Sequence, residues 1–270
     1  MADRFKNKVF LVIDGEHKRW PSEAHTVPFA FGACVVRWDS EKGKYIVDDR
    51  YNFRVLIQQP ADGHPEQLEF WQTKFPEMYQ TLTSPEHTKN KKAAADLLEQ
   101  YMHLILANLV EPSNLKLCIG LDDPNDLIMA DNLLVAAGKP TLRRLCNPRT
   151  GHCSVYDLES WLEGRDEALE TQIAATEKQL KISSSEKTEI EKLLSDHANT
   201  LDAASLLVNM QLQTVLFRNA KAAEVLNSIK NSCELKLSKN TQTTHAHTHD
   251  PLDDALHLAE LVVGALNADL

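Results

Sequence analysis

Residues 9–16 read Val-Phe-Leu-Val-Ile-Asp-Gly-Glu, an apolar run rich in β-branched residues that leads into two acids separated by one glycine. That pattern predicts a fully buried central strand rather than a helix. Side chains alternate along a strand, so Asp14 and Glu16 fall on one face. Two carboxylates side by side at the end of a buried strand repel each other unless a cation lies between them. Hard dications such as Mg²⁺ take oxygen ligands of this kind, which makes a metal-binding strand end the first expectation for this chain.

The rest of the composition narrows the class. A chain of 270 residues with 43% apolar and 25% charged residues can bury a substantial core. Its formal net charge of −10 argues against a broadly basic surface that coats nucleic acid. It leaves room for a site whose metals supply the positive charge. No apolar stretch approaches the roughly 20 residues of a membrane span, and the N-terminal MADRFKNK lacks the apolar core of a secretory signal, so a soluble, cytoplasmic protein without membrane contact is expected. The five cysteines are scattered and form no CxxC pair, which predicts free thiols and no thiolate zinc site.

Taken in order, the chain reads as mixed α/β. Residues 17–29 form a polar, proline-interrupted loop; residues 29–36 and 45–57 are the next strand candidates, giving an antiparallel meander with the first. Pro65 opens a helical stretch to about residue 82, whose Phe70, Trp71 and Phe75 either staple it to the sheet or stack on a nucleobase. Apolar spacing of 3.6 residues predicts a helix over 91–110, followed by a strand over 115–120, an acidic LDDPND, and a helix closed by Gly138. Residues 162–220 carry no strand pattern and predict two helices joined near 182–185, with a capping-box-like Ser185–Thr188–Glu189. Their charged faces are solvated surface or, alternatively, a coiled-coil or homodimer contact. Residues 238–248 are a polar loop, and an amphipathic helix follows over 252–266.

Three pieces of this chain together resemble the DnaQ-like 3′-5′ exonucleases of the ribonuclease H-like superfamily, in the DEDDh branch. The first is the Asp-x-Glu pair at Asp14 and Glu16. The second is an Asp at 126 followed twelve residues on by Gly138, with Asp122 and Asn125 where the family has Asn and an aromatic. The third is HDPLDDA, which places His249 and Asp254 on the family's His-x₄-Asp motif. The match covers roughly residues 8–160 and 222–266. Helix 65–82, with its LEFW, adds a weaker likeness to the phage and mycobacterial exoribonuclease-like subgroup. After Glu16 the chain reads His-Lys-Arg-Trp where the family commonly has Thr and Gly.

This resemblance implies a ribonuclease H-like mixed sheet flanked by helices, with a core of residues 1–161 and 221–270 and a helical insertion over 162–220. It implies two ions, Mg²⁺ or Mn²⁺, held by Asp14, Glu16, Asp126 and Asp254, with Asp14 shared and His249 as general base. The expected partner is the 3′ end of single-stranded RNA or DNA, RNA slightly favoured. Asp122 and Asp123 compete with Asp126 for the third carboxylate, and the spacing to Gly138 favours Asp126. His245 and His247 are rivals of His249, and such an alternating cluster is also a pattern that takes up zinc or nickel adventitiously. The alternative function is a ribonuclease H-like module that binds nucleic acid or protein through its helical insertion, with weak or no catalysis.

Overall fold

The structure is a computed structural model that describes residues 5–18, 26–58, 63–150, 152–197 and 203–270; the side chains of 182, 194, 196, 197 and 203–212 lie outside the description. The chain forms two compact units, Met1–Leu162 with Thr241–Leu270, and Glu163–Asn240.

The first unit is built on a mixed, open sheet of six strands. Strands β1 (Lys8–Glu16), β2 (Ala30–Asp39), β3 (Lys44–Val47) and β4 (Phe53–Leu56) come first, followed much later by β5 (Lys116–Leu121) and β6 (Ser154–Asp157). Their order across the sheet is β3-β2-β1-β5-β6, with β4 paired to the other half of the β2 edge. Strands β1 to β4 are antiparallel neighbours, whereas β1, β5 and β6 run parallel. The span expected as one strand over 45–57 is two, because Asp49–Tyr51 coils into a 3₁₀ turn. Asp48 anchors that turn: its carboxylate accepts hydrogen bonds from Arg37 Nε (2.6 Å) and Arg50 Nε (2.8 Å).

The alternation of β1 sorts the core into two layers. Val9, Leu11 and Ile13 pack with Leu98, Met102 and Ile105 of helix α3 (Lys91–Ile105) and with Leu133 of α4 (Pro124–Ala136). Phe10 and Val12 face the opposite way, onto Ala255, Ala259 and Val262 of the last helix, Pro251–Ala268. Both layers exclude water from β1, as its unbroken apolar run requires. A third cluster joins Phe29, Ala30 and Leu56 to Trp71 and Leu82 of helices α1 (Pro65–Lys74) and α2 (Pro76–Thr83). These are two helices rather than one because Pro76 forces Phe75 out of the helical region. Likewise the helix expected over 91–110 ends at Ile105 and passes into a π turn over Leu106–Val110. The short helix α5 (Leu142–Cys146) and strand β6 escaped the sequence reading. All five cysteines are free thiols.

The second unit holds most of helix α6 (Leu158–His197) and all of α7 (Ala203–Leu235). It ends at Asn240 rather than at 220, because α7 runs unbroken through that point to Leu235. The pairs Glu177–Lys230 (2.7 Å) and Glu170–Lys239 (3.1 Å) show the two helices antiparallel. No joint forms at 182–185: α6 continues through it, and Thr188 donates back to the Ser184 carbonyl (3.0 Å) instead of capping a new helix. The link between the helices falls at 198–202, outside the described residues. None of the described helices is long and apolar enough to cross a membrane.

Candidate metal centre

Strands β1 and β5 are parallel neighbours, so their carboxyl ends open on the same edge of the sheet, where ligands of such sheets gather. Asp14 and Glu16 close β1 there. One turn beyond β5, Asp123 caps α4 by accepting from the Asn125 amide (2.9 Å), which sets Asp126 in the first helical turn, 3% exposed. At Gly15 the strand faces α4: a Cβ there would lie in ordinary contact, 3.4 Å, with Asp126 Oδ1.

The fourth carboxylate arrives from the far end of the chain. Asp250 caps helix α8 (Pro251–Ala268) through the Leu252 amide (3.1 Å) and pairs with Arg54 of β4 (2.5 Å). Asp254, 6% exposed in the first turn, accepts the backbone N–H groups of Thr248 (2.7 Å) and His249 (3.0 Å). Those bonds hold His249 at φ +61°, a left-handed conformation uncommon outside glycine. Its Nδ1 then lies 3.6 Å from Glu16 Oε1. The ring is edged by Phe75 at 4.3 Å between centroids, with Trp71 and Phe70 at 5.6 and 5.7 Å. The aromatics of α1 and α2 therefore divide their work. Trp71 is buried against Phe29, whereas Phe70 is 42% exposed beside His249.

Comparison with known proteins is silent here: no family model matches the chain, and no curated protein or solved structure does either.

The donor set itself is informative. Asp14, Glu16 and Asp254 offer three ligand atoms within 4.8 Å of one another, and so do Asp14, Asp122 and Asp126. Asp14 belongs to both groups. Burial pushes the Asp14 and Asp126 carboxyls well up, and the neighbouring acids push them further. Burial also raises Glu16, opposed by His249, and raises Asp254, opposed by the Thr248 amide. Contact with Glu16 raises His249 in turn. Asp14 Oδ2 and Asp126 Oδ2 are buried and accept no hydrogen bond from the described residues. An orphaned carboxylate oxygen in the interior is costly, and two of them in one acidic pocket fit a site built for cations.

All five sequence-predicted residues, Asp14, Glu16, Asp126, Asp254 and His249, thus meet at one sheet edge. Asp122 joins them rather than competing with Asp126, while Asp123 is spent on the helix cap. His245 bonds Glu260 (3.1 Å), away from the acids, and His247 faces Asp254 (3.3 Å). The lining of His249 by Phe70 and Phe75 was not legible, since no spacing in the sequence relates residues 70–75 to residue 249.

Proposed function

We propose that this chain is a metal-dependent 3′-5′ exonuclease that hydrolyses the terminal phosphodiester bonds of single-stranded nucleic acid, with the ribonuclease H-like fold of the DnaQ-like family. The observation that carries this reading is the membership of Asp14 in two three-carboxylate groups that meet at its side chain. Two ions, Mg²⁺ or Mn²⁺, would supply Lewis-acid activation of a water and neutralise charge on the phosphate. Asp14, Glu16, Asp126 and Asp254 would hold them, with Asp122 as a further oxygen donor; an all-oxygen set suits hard dications. These ions also reconcile the acidity of the protein with a polyanionic substrate.

His249 serves as the general base. Its Nδ1 faces Glu16, so Nε2 is the atom that accepts a proton from the attacking water. Glu16 is the charge that Nδ1 faces, 3.6 Å away. Phe70, exposed at the edge of the His249 ring, offers a face on which a terminal base stacks.

The test is degradation of 5′-labelled single-stranded RNA and DNA oligomers with Mg²⁺, with Mn²⁺ and with EDTA. A metal-dependent ladder shortening from the 3′ end, lost in Asp14→Ala, is the expected result. No cleavage of either strand by folded, metal-supplied protein, or undiminished cleavage by Asp14→Ala, overturns the assignment.

A further inference from the structure

The acidic cluster is flanked by a donor set of different chemistry. Among the described residues, His247, His249 and Asp254 form a third group whose ligand atoms all lie within 4.8 Å of one another. His247 Nδ1 stands 3.3 Å from Asp254 Oδ2, and the two imidazole rings are 4.6 Å apart between centroids. We propose that these three side chains bind a transition-metal dication, Zn²⁺ foremost, and that its binding withdraws His249 and Asp254 from the acidic cluster and so inhibits the enzyme.

The loop that carries the histidines is already fixed on both sides of them. Glu260 accepts from the amides of Thr244 (2.7 Å) and His245 (3.1 Å), and the His257 ring bonds the His245 carbonyl (2.8 Å). On the other side, Asp254 accepts from Thr248 and His249, and Arg54 holds Asp250. A ligand set held in place this way binds metal without first ordering the chain. The same backbone donors keep the Asp254 carboxylate oriented, as partners behind a metal ligand do. His247 is 58% exposed, which leaves the outer side of the group open to an arriving ion and its water.

Donor type separates this group from its neighbours. Two imidazoles and one carboxylate form a ligand set that Zn²⁺ accepts readily, with water in the fourth position. Mg²⁺ prefers oxygen, and zinc outranks Mn²⁺ in affinity at nitrogen-containing sites. Asp254 is common to the histidine group and to the Asp14–Glu16–Asp254 group, and His249 is the base assigned above. An imidazole bound to zinc cannot accept the proton of the attacking water, so zinc at this group removes the base, and it draws on an Asp254 carboxylate that the acidic cluster also uses. The binding site stands on geometry alone; the inhibition rests on the exonuclease reading.

The experiment is calorimetric titration of the whole protein with Zn²⁺ in excess Mg²⁺, on the natural sequence and on His247→Ala and His245→Ala, followed by cleavage assays with Zn²⁺ added. The natural protein should bind one equivalent. His247→Ala should weaken that binding by about tenfold or more, keep its thermal stabilisation by Mn²⁺, and cleave in the presence of zinc that stops the natural protein. His245→Ala should bind and respond as the natural protein does. Equal zinc affinity in the natural protein and His247→Ala, or equal weakening by His245→Ala, overturns the site. If zinc binding depends on His247 but no metal supports cleavage, the site is upheld, the inhibition is overturned, and the exonuclease reading fails separately.

Discussion

Gly32 and Pro251 are in backbone contact: a Cβ at Gly32 would come 2.2 Å from the Pro251 carbonyl oxygen. Gly32 is also the partner of Asp14 in the β1–β2 register. The missing side chain opposite the central acid is thus what lets α8 bring Asp254 to the site. Because the obstacle is backbone, Gly32→Ala must move the helix start. The expected cost is about 1–3 kcal/mol, as for other overpacked interiors. Mn²⁺ affinity should fall with it. Urea unfolding and Mn²⁺ titration check both, and a variant with unchanged metal affinity would separate α8 from the metal centre.

Asp14→Asn should act on stability in opposite directions with and without metal. In EDTA it removes a buried charge that repels Asp126 and Glu16, so the variant should melt higher, by about 2–4 °C per kcal/mol gained for a domain of this size. With Mg²⁺ or Mn²⁺ the natural protein should gain stability that the variant does not. Thermal melts in the two buffers decide it. A metal-induced increase of equal size in both would place the ions elsewhere.

The pH dependence follows from the same groups. Asp14, Glu16, Asp126 and Asp254 have folded-state values above their unfolded ones. Such acids contribute stability that is complete below their unfolded values near 4 and is lost as pH rises through the folded values. Metal-free protein should therefore weaken as pH rises from about 4 toward neutrality, and saturating Mn²⁺ should flatten that slope. Denaturant melts across pH, with and without metal, are the check.

Asp48 carries the opposite sign. Arg50 and Arg37 hold its carboxyl down at about 2, so its contribution is present above the unfolded value near 4 and is lost as pH falls toward 2. Arg37→Gln should move the midpoint of acid unfolding to higher pH while leaving Mn²⁺ binding unchanged. An unaltered acid transition would show that the Arg37–Asp48 pair does not hold the β3–β4 turn.

The three acids after β5 should separate cleanly. Asp126→Asn and Asp122→Asn should weaken Mn²⁺ binding by at least the roughly 10–100-fold that supporting partners of a metal site carry. Asp123→Asn should leave it intact, because Asn caps a helix about as well as Asp. Isothermal titration of the three variants reads this directly, and a loss confined to Asp123→Asn would reverse the assignment.

Much of the centre was legible because its acids sit where local patterns end. The apolar run of β1 announces a buried strand, so the acids that follow it must be placed at its mouth. Asp126 and Asp254 lie in first helical turns marked by Asp-Pro and by downstream apolar periodicity. What stayed hidden depends on contacts between distant segments. Asp122 is one acid among three until α4 packs on β1. Phe70 and Phe75 read as a staple to the sheet or a stacking surface, and only the fold sets them around His249. Residues 65–82 were expected as one helical stretch although Pro76 divides them, and the continuity of α6 through 182–185 was masked by serines that favour caps and turns.

Helix α8 has a consequence for how the protein is made. Its start supplies Asp254 and positions His249, yet it packs on β1 and β2, which lie far before it in the chain. Everything between β1 and the start of α8 must therefore be synthesised before Asp14 meets Asp254, a closure of high sequence separation and correspondingly slow. A nascent chain halted before Pro251 carries the β1 acids and His249, but neither the helix that covers them nor the Asp254 carboxylate that accepts the His249 amide. The group formed by Asp14, Glu16 and Asp254 is thus a product of long-range closure and not of the strands alone.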